Sequence, residues 1–350
     1  MRKLAYLFIA AVASFAVSCN KDQSVAPQSN DGKPMKLVVG VSGVGSKVTG
    51  ITSNDETTEA KVNSLQVFVF NGDVLDGYAS ATDSKTATVS CTSGSRDIYA
   101  LVNAPNMAAV SSKAALLATV SNLANEVSNF QMIGNKTETL QHDGSVNLTV
   151  SHLAARVVVK GIKNALENAT QAAAFKILSI TLTNAVGDVN YGLSSGYEPL
   201  VWRNRRGYEA TNSLGGFDHD EVNATVAAGA TNSDVHFFYT YPNAKDPKMG
   251  IETGATGYTP RRARLVITAE IAGTVYHYPI ELPVLENNKS YEINLVNITR
   301  LGNVDNGYHD PDDNDDDDEE KPIQGFDQAF SITVNNWSVV LLGNEGTINI

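Results

Sequence analysis

The sequence predicts a mainly β protein with two tandem β-sandwich domains and few short helices. Short runs of β-branched and aromatic residues recur along the chain, with Gly, Asn, Asp and Ser between them, as expected for strands and turns. Several runs carry apolar residues on both faces, which is typical of strands buried between two layers. The length of 350 residues is enough for about two domains of ordinary size.

In the first half, the strands are predicted from the alternation of apolar residues. Leu37, Val39 and Val41 share one face of a short strand. Residues 61–72, KVNSLQVFVFNG, place aliphatic side chains on one face and two phenylalanines on the other. The pattern predicts a strand that is buried on both faces.

Two further strands and one helix are predicted before the middle of the chain. Residues 87–91 and 97–103 read as strands joined by the turn CTSGS. Residues 111–127 are the one segment with helical spacing of apolar residues, and they begin with a serine that can cap a helix. The apolar positions of this predicted helix are Leu116, Val120, Leu123 and Val127.

The second half shows the same pattern of short predicted strands and turns, although no sequence repeat is detectable. Residues 175–183, 235–241 and 291–298 read as strands, and residues 263–271 and 274–282 read as a hairpin around Ala272-Gly273. A boundary between two sandwiches is expected within residues 150–165.

The first 19 residues, MRKLAYLFIAAVASFAVSC, predict export. A basic start is followed by an apolar core at residues 4–17 that is too short to span a bilayer, as in a signal peptide. Small residues directly before Cys19 resemble a bacterial lipobox, in which the signal is cut before the cysteine and the sulfur carries a lipid such as palmitate. An ordinary cleavage site with an incidental cysteine is the alternative. If Cys19 is lipidated, Cys91 has no partner and is expected to be buried and unreactive.

Residues 40–50, GVSGVGSKVTG, resemble a phosphate-binding loop only superficially. Ser46 occupies the position that such a loop gives to lysine, and Lys47 is followed by Val48. Residues 49–58 show no helical pattern that would direct a helix N-terminus at an anion. We therefore interpret the segment as a pliable connection after a strand, with Lys47 as its only basic residue.

No catalytic, cofactor-binding or metal site is predicted, and we expect no enzyme activity. The six histidines are scattered, and HExxH and paired-cysteine motifs are absent from the sequence. The net charge of −12 excludes the basic stripe that nucleic-acid binding needs. Arg203, Arg205 and Arg206 beside Trp202 and Tyr208 could contact a glycan or phosphate, and a solvated strand edge is the alternative.

The end of the chain combines an acidic linker with two apolar strands. Residues 305–320, DNGYHDPDDNDDDDEE, are typical of a solvated, self-repelling segment and lack the spacing of an EF-hand calcium loop. After the linker, apolar residues alternate in two sets of opposite parity, separated by a bulge at Asn335-Asn336. These strands need burial, so they either fold back on their own domain or add to the open sheet of a neighbour. The two sets are Phe330, Ile332 and Val334, then Trp337, Val339 and Leu341.

In combination these segments resemble the fimbrillins, the major shaft subunits of type V pili in Bacteroidota. The resemblance rests on the lipobox with CNKD, on EAKVNSLQVFVFNG and CTSGSRDIYALVNAP, and on LTVSHLAARVVVKGIK. It continues through LENNKSYEINLVNITRLG to the Trp-containing ending ITVNNWSVVLLG, so it covers essentially the whole chain in order.

The resemblance implies two transthyretin-like β-sandwiches, exported as a lipoprotein to the outer membrane. A trypsin-like protease then removes the lipidated N-terminal segment with the first strand, and the C-terminal strand of the next subunit fills the vacated groove. On this chain it implies a lipid on Cys19, a cut at Lys47 and a donor strand formed by the two alternating C-terminal sets. The implied partners are other copies of the chain, accessory tip and anchor subunits, the protease, and the membrane before cleavage. The product is a cell-surface fimbrium that supports adhesion.

The implied organisation divides the chain into six parts. Residues 1–18 are the signal peptide, 19–35 the lipidated tether, 36–155 the first sandwich with a removable strand at 36–47, 156–302 the second sandwich, 303–325 the acidic linker, and 326–350 the donor strands.

The chain departs from the family pattern at the cut, which arginine usually marks. Between Lys3 and Ser95 the sequence contains no arginine. Either Lys47 serves a protease that accepts lysine, or the subunit stays uncut as a terminator or anchor. A hypothesis of another class is a monomeric surface lipoprotein that binds a glycan or host protein and keeps its C-terminal strands folded back. Such a binder is expected to expose aromatic rings near Trp202 and Tyr208.

Overall fold

The structure is a computed structural model that describes residues 32–42, 59–205, 207–245, 260–304, 339–341 and 347–349. The predicted signal peptide, Cys19, Lys47 and most of the acidic linker lie outside these ranges, as do Phe330, Ile332, Val334 and Trp337.

The described residues are mostly β-strand. In the first part of the chain the strands are β1 Pro34–Ser42, β2 Ser64–Asn71, β3 Val74–Thr82, β4 Thr86–Thr92, β5 Gly94–Val102, β6 Val120–Asn122, β7 Met132–Leu140, β8 Gly144–Thr149 and β9 Ser151–His152. The next are β10 Ala155–Val159, β11 Ile162–Asn164, β12 Phe175–Thr183, β13 Ala185–Val186, β14 Asp188–Asn190, β15 Trp202–Arg203, β16 His219–Thr225, β17 Thr231–Asn232 and β18 His236–Thr240. The last are β19 Arg264–Ile271, β20 Thr274–Glu281, β21 Ser290–Ile293, β22 Leu295–Ile298, β23 Val339–Leu341 and β24 Thr347–Asn349. Helices α1 Lys113–Ala118 and α2 Ala169–Ala173 are short, and a 3-10 turn covers Leu123–Glu126.

One strand order occurs twice along the chain. In the first half, sheet β4-β1-β8 packs against sheet β3-β2-β5-β7-β9, and β1 is antiparallel to β4 and parallel to β8. In the second half, β18-β10-β21 has the same relative directions and packs against β16-β12-β19-β20. The first strand of each half therefore lies between an antiparallel neighbour and a parallel one.

Three hydrophobic clusters hold these layers together. One fills the space between the two sheets of the first half, and a second does the same in the second half. The third contains residues of both halves, among them Phe68, Phe70, Trp202 and Tyr241. Strand β2 contributes its aliphatic face to the first cluster and its phenylalanines to the third, so the prediction of a strand buried on both faces is confirmed.

The predicted helix over residues 111–127 is wrong for most of its length. Within this range only α1 is an α-helix, with the Ser112 hydroxyl accepting a hydrogen bond from the Ala115 amide at 3.1 Å, and Leu123–Glu126 form the 3-10 turn. Val120 then belongs to β6, which pairs with β14, and this tertiary pairing overrides the weak local propensity. Leu116 and Leu123 are buried as expected, whereas Val120 and Val127 are exposed.

The hairpin predicted around Ala272-Gly273 is confirmed. Strands β19 and β20 pair in antiparallel register across this turn. Both turn residues have positive φ, 52° at Ala272 and 83° at Gly273, as a two-residue turn between right-twisted strands requires.

Candidate functional site

Strand β1 is the central strand of its sheet although it stands at the beginning of the described chain. It pairs with β4 along most of its length and with β8 from Leu37 onward. Its alternating pattern arises because one face looks into the core, where Leu37 is 1% and Val39 0% exposed, and the other faces outward, where Val38 is 39% exposed.

The groove that holds β1 is lined by apolar residues at alternate positions. Met35, Leu37 and Val39 pair in register with residues of β4, and Val39 and Val41 pair with residues of β8. The partners in the groove are Cys91, Val89, Ala87, Val146 and Leu148. Burial of four apolar side chains of β1 is worth on the order of 6–12 kcal/mol, so the empty groove would be a strongly destabilised state.

Polar contacts near the N-terminal end of β1 help to fix its register. The backbone amide of Lys33 donates to the Ser93 hydroxyl at 2.9 Å, and that of Lys36 donates to Asp143 Oδ1 at 2.8 Å. On the outer face, a Cβ at residue 40 would lie 2.4 Å from the side-chain oxygen of Asn147. A side chain at position 40 therefore needs the exposed Asn147 side chain to move aside.

Cys91 lies on the floor of this groove. Its side chain is 5% exposed, and burial raises the pKa of the thiol to about 11. The predicted burial of Cys91 is confirmed. A thiol that stays protonated at neutral pH is a poor nucleophile, so Cys91 is unreactive while β1 is in place.

The two C-terminal strands lie on the chain's own second half. Strand β23 runs parallel to β21, with Val339 opposite Ser290 and Leu341 opposite Glu292. Strand β24 runs parallel to β22, with Ile348 opposite Val296. Within the described part of the chain each of them pairs on one side only, whereas β1 pairs on both.

Ser290 and Glu292 of β21, which are paired with β23, contact cationic side chains of β10 and of the residue directly after β10. The Arg156 Nε donates to the Ser290 hydroxyl at 3.0 Å. Lys160 Nζ lies 2.5 Å from Glu292 Oε2, and the glutamate side chain is fully buried. The sequence analysis did not predict these polar contacts. Their only local sign in the sequence is the pair of charged residues near the ends of the apolar run ARVVVK, residues 155–160.

The aromatic residues of the glycan hypothesis are not displayed. Trp202 is 5% exposed and belongs to the third hydrophobic cluster, and Tyr208 is also buried. Arg203 donates to the Asn212 carbonyl oxygen at 2.8 Å. The two rings that the glycan hypothesis expects to be exposed are therefore buried.

Three polar residues that are adjacent in the chain, Asp218, His219 and Asp220, each contact a different partner. Asp218 accepts a hydrogen bond from the Leu214 amide, while His219 lies 2.8 Å from the Thr181 hydroxyl. Asp220 pairs with His236 at 2.6 Å. Across the described residues there is no group of three or more His, Cys, Asp or Glu placed to hold a metal ion. The same residues include no helix that is long and apolar enough to cross a membrane.

Comparison with known proteins shows what the chain is similar to. Residues 34–174 match the model of the family described as major fimbrial subunit protein (FimA). The resemblance to the fimbrillin family is confirmed. The match begins at the first residue of β1 and extends past β10. No curated protein matches the chain.

Solved structures share the fimbrillin fold at low sequence identity. The FimA fimbrilin of Porphyromonas gingivalis has a TM-score of 0.51 and 16% identity, over 77% of this chain and 91% of that chain. A candidate cell adhesion protein from Bacteroides eggerthii has a TM-score of 0.61 and 18% identity, over 91% of this chain and 98% of that chain. A candidate cell adhesion protein from Parabacteroides distasonis has a TM-score of 0.53 and 15% identity, over 74% and 87%. The predicted mainly β fold is thereby confirmed.

Proposed function

We propose that this chain is a structural subunit of a bacterial surface fimbrium, which polymerises by strand exchange after its first strand is cut away. The observation that carries the proposal is the position of β1. This strand fills the middle of a sheet, yet it is joined to the rest of the chain only through residues 43–58, whose single basic residue is Lys47. Cleavage at Lys47 makes β1 a separate, non-covalently held peptide.

The exported precursor is an outer-membrane lipoprotein anchored through Cys19. The cut then releases the lipidated segment together with β1, so that the same step frees the subunit from the membrane and opens the groove. Residues 36–155 and 156–302 act as the two sandwiches, because the strand order restarts at β10. A trypsin-like protease that accepts lysine is the processing partner.

The opened groove is filled by the C-terminal strands of a neighbouring copy. A strand that enters it restores the hydrogen bonds to β4 and β8, and its alternate side chains replace Met35, Leu37, Val39 and Val41. Two alternating sets in the C-terminal segment offer this pattern, Phe330 with Ile332 and Val334, and Trp337 with Val339 and Leu341.

The register of β23 supplies a reason for the exchange to proceed. In the folded-back position, Val339 and Leu341 are opposite Ser290 and Glu292, and β23 pairs over three residues. In the β1 groove, alternate positions are opposite Cys91, Val89 and Ala87. Exchange therefore moves the strand from an edge where it pairs on one side over three residues to a longer apolar groove with pairing on both sides. The irreversible cut gives the reaction its direction.

A subunit with both an openable groove and a strand to donate can be extended at both ends. This combination supports a role in the fimbrial shaft, which joins accessory tip and anchor subunits at its ends and presents the surface that supports adhesion. Two alternatives make different predictions: an accessory subunit stays uncut at Lys47, and a monomeric binding lipoprotein does not assemble after the cut.

Digestion of purified residues 20–350 with a lysine-specific protease tests the proposal. We expect a new N-terminus at Val48 and a ladder of heat-sensitive oligomers on unheated gel electrophoresis. Two variants serve as controls: Lys47→Gln removes the cut, and a chain ending at residue 329 retains the cut but lacks the donor. Neither should give a ladder. Oligomers formed by the truncated chain would exclude the C-terminal strands as donor, and cleavage without a ladder in the full chain would favour the monomeric lipoprotein.

A further inference from the structure

The residue that follows the proposed processing segment is held in a buried ion pair with the second half of the chain. Glu59 is 1% exposed, and its Oε2 accepts a hydrogen bond from Arg156 NH1 at 2.8 Å. The other oxygen of the carboxylate accepts from the Tyr239 hydroxyl. Arg156 is itself 1% exposed and also bonds Ser290. The two oppositely charged side chains therefore compensate each other where water does not reach.

The backbone of Glu59 is fixed as well. His152 donates from Nε2 to the Glu59 carbonyl oxygen at 3.0 Å. The His152 amide donates to Asn288 Oδ1 at 3.1 Å, which ties this site to the loop before β21. Both the side chain and the main chain of Glu59 are thus bound to residues that follow β8.

A second lysine lies two residues beyond Glu59. Between β1 and β2, Lys47 and Lys61 are the only basic residues. The Lys61 side chain is exposed, but its carbonyl oxygen accepts from Asn103 Nδ2 at 2.7 Å. The next residue, Val62, is buried. A protease needs several residues of free, extended chain on both sides of the bond that it cuts.

We propose that the Glu59–Arg156 ion pair selects the processing bond, by withholding Lys61 from a lysine-cleaving protease. With Glu59 fixed on one side of Lys61 and Val62 buried on the other, the Lys61–Val62 bond cannot enter a protease cleft. Cleavage is then restricted to positions before Glu59, and the mature chain begins ahead of this anchor. The inference rests on the proposed processing of the chain and adds the residues that set its C-terminal limit.

Breaking a buried ion pair by removing one partner is strongly destabilising, because an uncompensated charge remains. In Arg156→Met the Glu59 carboxylate is left in this position, and the local state in which residues 59–62 detach becomes more populated. The reporter is the peptide VTGITSNDETTEAK, residues 48–61, which is released under native conditions only when both lysines are cut.

The test is a time course of native digestion with a lysine-specific protease, followed by mass spectrometry of the released peptide and of the new N-termini. We expect the wild type to give the Val48 terminus with little of the 48–61 peptide, and Arg156→Met to release that peptide at least about tenfold faster. Glu59→Gln keeps the shape of the side chain and is expected to show a smaller increase. Glu59→Gln also allows the test to be made if Arg156→Met does not fold.

Arg96→Met is the matched control. Arg96 is another buried arginine in an ion pair, with its Nε 3.0 Å from Asp76 Oδ2, and it lies at the opposite end of β5 from Asn103. If Arg96→Met releases the 48–61 peptide as fast as Arg156→Met, the effect is general destabilisation and the inference is overturned. Equal release from wild type and Arg156→Met overturns it as well. Absence of the Val48 terminus counts against the proposed function, whereas a Val62 terminus in the wild type counts against the anchor alone.

Discussion

Met35 of β1 lies opposite Cys91 of β4, so the strand whose release we propose covers the thiol. With β1 in place Cys91 is buried, and burial raises the pKa of its thiol to about 11. Release of β1 removes this cover, and the pKa is then expected to fall towards the ordinary value for cysteine, about 8.5. The thiol is therefore a reporter for occupancy of the groove.

We predict that Cys91 reacts slowly with a maleimide at pH 7.5 in the intact subunit and at least about tenfold faster after the loop is cut and β1 is washed away. Assembled oligomers should again be protected, because a donor strand covers the same site. Labelling at one rate in all three states would contradict the removal and replacement of β1.

The two faces of β1 should respond differently to truncation. Leu37→Ala removes a fully buried side chain and is expected to lower the free energy of unfolding by about 2–5 kcal/mol. Val38→Ala, one residue further on the exposed face, should change it by less than about 0.5 kcal/mol. Urea unfolding followed by circular dichroism measures both. Similar losses for the two variants would show that the core face is assigned incorrectly.

Gly40→Ala should be tolerated, because the one close neighbour of the added Cβ is a side chain that can move. The Cβ would lie 2.4 Å from Asn147 Oδ1, and the Asn147 side chain is exposed. We expect the free energy of unfolding to change by less than about 1 kcal/mol. Thermal unfolding of Gly40→Ala with and without Asn147→Ala measures this, and a loss above about 2 kcal/mol that Asn147→Ala recovers would show that the Asn147 side chain cannot move aside.

A pH dependence of stability is expected from Glu126, which is fully buried. Burial raises the pKa of its carboxyl to about 8, so between the unfolded value, about 4.3, and 8 the folded chain holds a proton that the unfolded chain lacks. The free energy of unfolding therefore falls as pH rises, by about 2 kcal/mol between pH 6.5 and 8.5.

Glu126→Gln should remove this dependence. Burial lowers the pKa of His152 to about 4, and this group acts in the opposite direction only below pH 6.5, where the unfolded chain gains a proton first. Chemical denaturation of the wild type and of Glu126→Gln from pH 6.5 to 8.5 isolates the contribution of this carboxyl to the pH dependence of the free energy of unfolding. Parallel curves for wild type and variant would show that Glu126 is already ionised in the folded state.

The sequence predicts the elements that local patterns define. The alternation of Leu37, Val39 and Val41 and the two-sided burial of β2 follow from strand periodicity and are present in the structure. The single helix over residues 111–127 is wrong, because pairing of Val120 with Asn190 is a non-local contact that helical spacing cannot reveal.

The site was only partly predictable for the same reason. The sequence shows that apolar residues alternate in the C-terminal segment, but it leaves open where this segment docks. The parallel pairing of β23 with β21 is seen only in the structure. The Glu59–Arg156 pair joins residues 97 positions apart, so no local pattern indicates it. Lys47 and Cys19 lie outside the described residues and stay predictions.

The most direct measurement of strand exchange is an intermolecular crosslink between the groove and the donor strand. One copy keeps Cys91 and its own C-terminal strands, and the other carries Cys91→Ala with a single cysteine at one of six positions, namely Phe330, Ile332, Val334, Trp337, Val339 or Leu341. Both lack Cys19. Across neighbouring strands, two cysteines at facing positions come close enough for a disulfide. We predict that the mixture, cut at Lys47 and oxidised, forms a reducible heterodimer for at least one of the six positions, and that uncut protein does not. A heterodimer of equal yield without the cut, or none at any position while ladders still form, would contradict the proposed exchange.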